Sequence, residues 1–182
     1  MLVDRQIRDL AVNGMITPFL EQHREQHLGS FGLSSCGYDV RLGSKFAYLK
    51  KGDILEVGAD QSELWGRIEC ETFLLLPHGS VLGVTLERIS MPQDVVGLVT
   101  GKSSLARLGL LVNATPLEPN WQGFVTIELA NLNPSNAIKL VAGMGIAQVM
   151  FYRLDQIPEH LYRGVYQNQP SDVVLSRTTH QG

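Results

Sequence analysis

Cysteine is scarce in this 182-residue chain: there are two, Cys36 and Cys70, too few for a disulfide framework and in no Cys-x-x-Cys pair. Both are read as reduced thiols. Long apolar runs are missing as well, since stretches such as Phe73 to Pro77 and Val95 to Thr100 fall far short of the roughly 20 residues that span a bilayer. No transmembrane helix is expected, and the N-terminus alternates charged with apolar residues where a signal peptide needs a continuous apolar segment. The expectation is a cytoplasmic protein with no membrane partner. Nor is there an excess of positive charge: 15 Lys and Arg against 18 Asp and Glu leave a net −3, which offers a polyanion no general attraction. Nucleic acid is not an expected partner. Metal-ligand spacing is also lacking. The close pair His23 and His27 has its Glu misplaced for His-Glu-x-x-His or His-x-x-Glu-His, has no third ligand nearby, and nothing resembles a His-x-Glu followed by Pro-Cys-x-x-Cys. Any hydrolysis is expected to run without protein-bound zinc.

What is present is the material for a core, with 44% hydrophobic and 18% charged residues. Asp4 is a good N-cap, and Ile7, Leu10 and Ala11 recur at helical spacing before Gly14, which predicts one short helix. From Thr17 to Gly29 the chain turns polar and is expected as a loop, with at most a helical turn. Strands follow. Tyr38 to Leu42 and Lys45 to Leu49 are bounded by turn signals at Gly43-Ser44 and Lys51-Gly-Asp53; further runs lie at Thr72 to Leu76, Ser80 to Leu86, Val95 to Thr100, Gly123 to Ala130, Ala137 to Val141 and Ile146 to Phe151. Many short strands with hardly a helical pattern between them predict a mainly β fold: an antiparallel sandwich, jelly roll or barrel. With no internal repeat and no boundary, residues 1–182 are taken as one domain, with an N-terminal helix and loop over 1–30 and a polar C-terminal arm or lid over 156–182.

Two segments could carry chemistry. In Gly101-Lys-Ser-Ser-Leu-Ala-Arg-Leu-Gly109, two cations and two hydroxyls stand beside a glycine turn, the donor set a phosphate wants. It is not a P-loop, because Val96 occupies the place of the first glycine. The plain alternative is a polar helix start with Ser103 as cap and Arg107 solvated. The second segment runs from Leu117 to Asn131 and holds Glu118 in a turn and Glu128 in a strand. There Val125, Ile127 and Leu129 share one face, and Thr126, Glu128 and Ala130 the other. That second face either meets solvent, the commoner fate of such a Glu, or lines a pocket where Glu128 suits general acid and base work.

Four collinear segments then resemble one family. Ser34-Ser-Cys-Gly-Tyr-Asp-Val-Arg-Leu42, Gly101 to Gly109, Pro116-Leu-Glu-Pro-Asn-Trp-Gln-Gly-Phe-Val-Thr-Ile-Glu-Leu129 and Gly145-Ile-Ala-Gln-Val-Met-Phe151 together resemble dCTP deaminases of the dUTPase-like superfamily. The likeness runs from about Ser34 to Tyr152, with a weaker echo in Tyr166-Gln-Asn-Gln169. It implies a distorted jelly-roll or dUTPase-like β-barrel, a homotrimer with active sites between neighbours, and Mg²⁺ that accompanies the triphosphate rather than sitting in a protein cage. The implied reaction is dCTP to dUTP and ammonia, with dTTP a candidate inhibitor. By this resemblance Glu128 is the catalytic glutamate that takes a proton from water, and Ser103 and Arg107 hold that water, the glutamate and the nucleotide. Lys102 and Ser104 match phosphate-binding positions, Glu118 an acidic position at the sugar and phosphate end, and Trp121 the turn whose aromatic residue stacks beneath deoxyribose. Gln148 matches a glutamine after the last core strand; Tyr162, Tyr166 and Gln169 belong to the closing tail. Three departures stand out. The loop before Glu118 is short, leaving Ala114 and Thr115 both as candidates for the carbonyl near the base amine; Val165 stands where lysine is common; and Pro170 follows Gln169 where glycine is common. Phosphate hydrolysis, as a dUTPase or a bifunctional enzyme releasing dUMP, and a noncatalytic nucleotide-binding trimer remain alternatives.

Overall fold

The computed structural model describes residues 1–50, 52, 54–57 and 59–177. Part of the turn expected at Lys51 to Asp53 and positions 178–182 of the expected arm lie outside them. The predicted helix forms as α1 (Asp4–Val12), burying Ile7 and Ala11. Its cap is Val3 rather than Asp4: Val3 is the extended residue, and its N–H donates to the Gln6 side chain at 3.1 Å, so Gln6 reaching back does the capping expected of Asp4.

After β1 (Ile16–Thr17) the polar stretch expected as a loop is instead a hairpin, β2 (His23–Glu25) on β3 (Gly29–Ser34), with His23 opposite Phe31 and Glu25 opposite Gly29. All three residues of β2 are exposed, so no alternation marked it. The histidine pair lies on this hairpin, His23 in β2 and His27 in the turn that follows it. Next comes β4 (Gly37–Leu49), one continuous strand where two had been expected. Gly43 serves close approach rather than a turn: the register with β7 (Ser80–Ser90) slips between Leu42 and Phe46, and a Cβ on Gly43 would stand 3.0 Å from the Val84 carbonyl oxygen.

The remaining elements are β5 (Trp65–Glu69), β6 (Thr72–Leu75), β8 (Val95–Gly101), α2 (Ser103–Ala106), β9 (Leu110–Asn113), β10 (Gln122–Asn131), β11 (Ile138–Val141) and β12 (Gly145–Arg153). All strand pairings among them are antiparallel. Strand β4 is the hub, pairing with β3, β5, β7 and β12; β12 carries β8, and β7 passes to β10 and then β9. Strands β6 and β11 form a separate pair. The fold is therefore mainly β, as the turn-punctuated strands implied. Its core holds Ile7, Leu42, Phe46, Ile89, Ile127, Leu129 and Phe151, with Phe46 stacked on Phe73 at 4.9 Å between centroids. A second, smaller cluster of Ala47, Val84 and Val173 takes in Trp65, Leu82, Phe124 and Leu175, so it pins the C-terminal tail to the sheet.

Candidate active site

Strand β10 delivers the alternation read from its sequence: Val125, Ile127 and Leu129 are buried, while Glu128 is exposed on the other face. Register then sets its neighbours, Asn113 on β9 and Leu82 on β7. A bulge between Phe124 and Thr126 is stabilised by the buried Thr85 hydroxyl, which accepts the Val125 N–H at 2.9 Å and donates to the Glu87 carbonyl at 2.8 Å. Glu128 thereby faces a cleft of about 780 Å³, which the β9–β10 connection and the tail wall in. Of the residues the sequence singled out, Ala114, Thr115, Glu118, Trp121, Glu128, Tyr162, Tyr166 and Gln169 line it together. The face left open between solvent and pocket is both here: Glu128 is exposed, and it forms part of the cleft wall.

The tail reaches the cleft through many small contacts. The Trp121 indole N–H donates to the Tyr166 carbonyl at 2.8 Å, and Asn120 Nδ2 to the Tyr162 carbonyl at 3.1 Å. Tyr162 Oη accepts the Tyr166 N–H at 3.2 Å; the Thr126 hydroxyl donates to Gln169 Oε1 at 3.2 Å and accepts the Val174 N–H at 3.1 Å. Farther along, Arg67 Nη1 donates to the Val173 carbonyl at 2.9 Å and Lys45 Nζ to the Ser171 carbonyl at 2.9 Å. Each such bond contributes about 0.5–1.5 kcal/mol net, and burying Val173 about 1.5–3 kcal/mol. No single contact holds the tail.

The second group of singled-out residues stands elsewhere. Ser103 and Arg107 are exposed on and just after α2 and line no part of this cleft; Arg107 Nη1 donates to the Ser103 carbonyl at 2.9 Å. Ser103 is not the helix cap: Lys102 holds that position, and no side chain caps it. Lys102, read as a phosphate donor, turns inward, where its ammonium meets the Asp39 carboxylate and the Ser30 carbonyl and donates to Ser30 Oγ at 2.9 Å. Gln148 joins the same group, its Nε2 donating to Asp39 Oδ1 and to Ser34 Oγ, both at 3.1 Å. Lys102 and Ser104 line a different cleft of about 720 Å³ with Arg24, His27 and Lys139. Val165 is exposed, and its carbonyl accepts Arg177 Nη1 at 2.6 Å.

Sequence reasoning missed three residues. Asn113, on a four-residue strand too short to stand out, lines the cleft, and its Nδ2 donates to Glu128 Oε2 at 3.1 Å. Asp39 was visible only as part of a motif. Glu87 lies within a strand run and is 0% exposed; Arg41 Nε donates to it at 2.7 Å and the Arg41 N–H at 2.8 Å. Burial pushes the Glu87 carboxyl above the usual carboxylate range, against the pull of Arg41. Alternation did not give it away: Glu87 shares a face with Thr85 and Ile89, and it is the apolar Leu86 between them that the strand exposes. Cys36 and Cys70 are both free. Among the described residues no group of three His, Cys, Asp or Glu gathers that could hold a metal ion, and no helix is long and apolar enough to cross a membrane.

Fold and site together define a β-rich protein that lays its own tail along an acid-bearing cleft. A solved structure has the same fold: 2'-deoxycytidine 5'-triphosphate deaminase from Agrobacterium tumefaciens, with a TM-score of 0.62 at 20% identity. That match covers 82% of this chain and 47% of the other, so the chain spans about half the length of that protein. Among sequence relatives, dCTP deaminase of Acidobacterium capsulatum is 36% identical over 176 residues, 94% of this chain and 96% of that protein. The dCTP deaminase of Campylobacter hominis is 38% identical over 172 residues, 91% of this chain and 90% of its own. A family model described as dCTP deaminase-like matches residues 1–154. The chain belongs to the dCTP deaminase-like family.

Proposed function

We propose that the protein deaminates a deoxycytidine nucleotide, converting dCTP and water to dUTP and ammonia by hydrolysing the C–N bond of the ring's cyclic amidine. The observation that carries this is Glu128, aimed by β10 into a cleft that the tail helps to enclose, in a chain so similar to dCTP deaminases over nearly its whole length. Glu128 takes a proton from water as the oxygen bonds to C4 of cytosine. The C4=N3 electron pair moves to N3, which takes that proton from the carboxyl; the carboxylate then takes the second proton from the new hydroxyl and gives it to the amine, the C4–N bond breaks as C4=O forms, and ammonia leaves. Trp121 and Glu118 receive the sugar end, the Ala114 or Thr115 carbonyl the amine, and Tyr162, Tyr166 and Gln169 close over the nucleotide. Among the described residues the carboxylates lining the cleft are Glu118 and Glu128, a donor set that fits Mg²⁺ arriving on the triphosphate better than an ion caged by the protein.

Ser103 and Arg107 act in this reading on a neighbouring subunit's Glu128 within a homotrimer. Their exposure on a short helix away from the cleft supports that. Lys102 serves the site from behind: neutralised by Asp39 and tied to Gln148, it holds the start of the Ser103-Ser104 turn rather than donating freely to phosphate. A cytoplasmic location and inhibition by dTTP belong to the same reading.

The test is to incubate the protein with dCTP, dCMP and dUTP plus Mg²⁺ and to measure ammonia, pyrophosphate and each nucleotide separately. Ammonia and dUTP from dCTP are expected. Pyrophosphate from dUTP without ammonia from dCTP would establish the phosphate-hydrolysing alternative, and no product from any substrate would leave a nucleotide-binding trimer.

A further inference from the structure

Strands β9 and β10 bring one neutral side chain directly opposite Glu128. Asn113 is its cross-strand partner, both line the cleft, and the amide donates to Glu128 Oε2 at 3.1 Å. Among the described residues this is the only hydrogen bond that either side chain makes. The carboxylate's two oxygens are thus unequal: Oε2 is held by the amide and Oε1 is left to the cleft.

We propose that Asn113 is a positioning residue for the reaction, holding Oε2 so that Oε1 is presented to the water and the departing amine. This rests on reading Glu128 as the proton shuttle. The chemistry suits the task. Glu128 alternates between accepting and giving a proton, and a partner that itself titrated would compete for it. An amide donates one hydrogen bond at every pH and never ionises. A carboxylate swinging free about its side-chain torsions would meet its water in the productive geometry only part of the time, which costs rate without weakening nucleotide binding.

The experiment compares Asn113→Ala, Asn113→Asp and Asn113→Gln with wild type in dCTP deamination across pH. In Asn113→Ala, kcat falls about tenfold to a hundredfold, the worth of one hydrogen bond to a charged group, while KM stays within about twofold. Asn113→Gln, which keeps the amide, recovers part of the loss. Asn113→Asp sets a second carboxylate opposite the first, so the acid limb of the kcat profile moves up by about one pH unit or more. A residue that merely completes the strand edge would change thermal stability and leave that limb in place. An unmoved acid limb in Asn113→Asp, or a KM effect in place of a kcat effect in Asn113→Ala, overturns the proposal. Near-normal turnover in Glu128→Gln would instead overturn the reading beneath it. If wild type shows no deamination, ¹³C-detected titration of the Glu128 carboxyl still decides the matter: a midpoint that Asn113→Asp leaves unchanged rules the pairing out.

Discussion

Two glutamates in this chain occupy opposite environments, and each can be tested by the same change. Glu128 is exposed in the cleft, and Glu128→Gln keeps its volume but removes the base; turnover should fall by about a hundredfold or more while nucleotide still binds, read by steady-state assay and calorimetry. Glu87 is fully buried against Arg41, and burial raises its folded-state titration above the unfolded range. Folding therefore favours the protonated carboxyl. The stability this group contributes is complete below the unfolded carboxylate range and is lost as pH rises through the raised folded value. Glu87→Gln cannot titrate, so wild type should lose stability relative to the variant as pH rises above the ordinary carboxylate range in urea unfolding. Parallel pH dependence would mean that Arg41 keeps Glu87 ionised throughout. The face that Glu128 occupies was legible because Val125, Ile127 and Leu129 alternate with it. Its partner Asn113 was not, because which residue lies opposite is set by the register of two strands, and neither strand's sequence encodes that alone.

The elements that read most clearly were those whose two faces differ. Helix α1 and strand β10 each bury one face, and the spacing of apolar residues gave both away. The β2–β3 hairpin did not, because β2 exposes both faces and is held by its ladder to β3. The tail is the opposite extreme: it carries no helical or strand period and is kept in place by contacts to other elements. One of these is testable through Gly123, where an added Cβ would stand 2.6 Å from the Gln169 nitrogen at a φ of +148°. Gly123→Ala should push the tail off the cleft and raise the nucleotide KM by roughly several-fold, with far-UV circular dichroism unchanged. An unaltered KM would detach the Gln169 contact from binding. Val165 offers the converse gain. Val165→Lys places a cation on the tail and should lower the KM for triphosphate by roughly a few-fold to tenfold, with little change for dCMP. If neither moves, this part of the tail does not reach the phosphates.

At the scale of the whole molecule, the singled-out residues fall into two groups on one chain. Glu128, Trp121 and the tail share the cleft; Ser103 and Arg107 do not reach it. The sequence listed both groups in order along the chain, but order says nothing of which subunit a side chain serves. Subunit mixing does. If each site takes Glu128 from one protomer and Arg107 from the next, Glu128→Gln and Arg107→Ala are each inactive alone. Randomly reassorted trimers of the two should then regain about a quarter of wild-type activity, since one interface in four pairs two intact residues. No recovery after verified exchange would place both residues in one subunit's site, and a fully active monomer of about 20 kDa by light scattering would do the same.

The chain has two tryptophans, and the cleft is lined by both, Trp65 from the β5 edge and Trp121 beneath the tail. Excited at wavelengths that the five tyrosines do not absorb, the tryptophan emission of the unlabelled protein therefore originates at this one place. A base stacking near either indole should quench it, whereas a tail that lifts away breaks the bond from Trp121 to Tyr166, wets the indole and shifts its emission to the red. Occupancy of the cleft and release of its cover are thus two separable optical signals, available in a stopped-flow trace before any product forms.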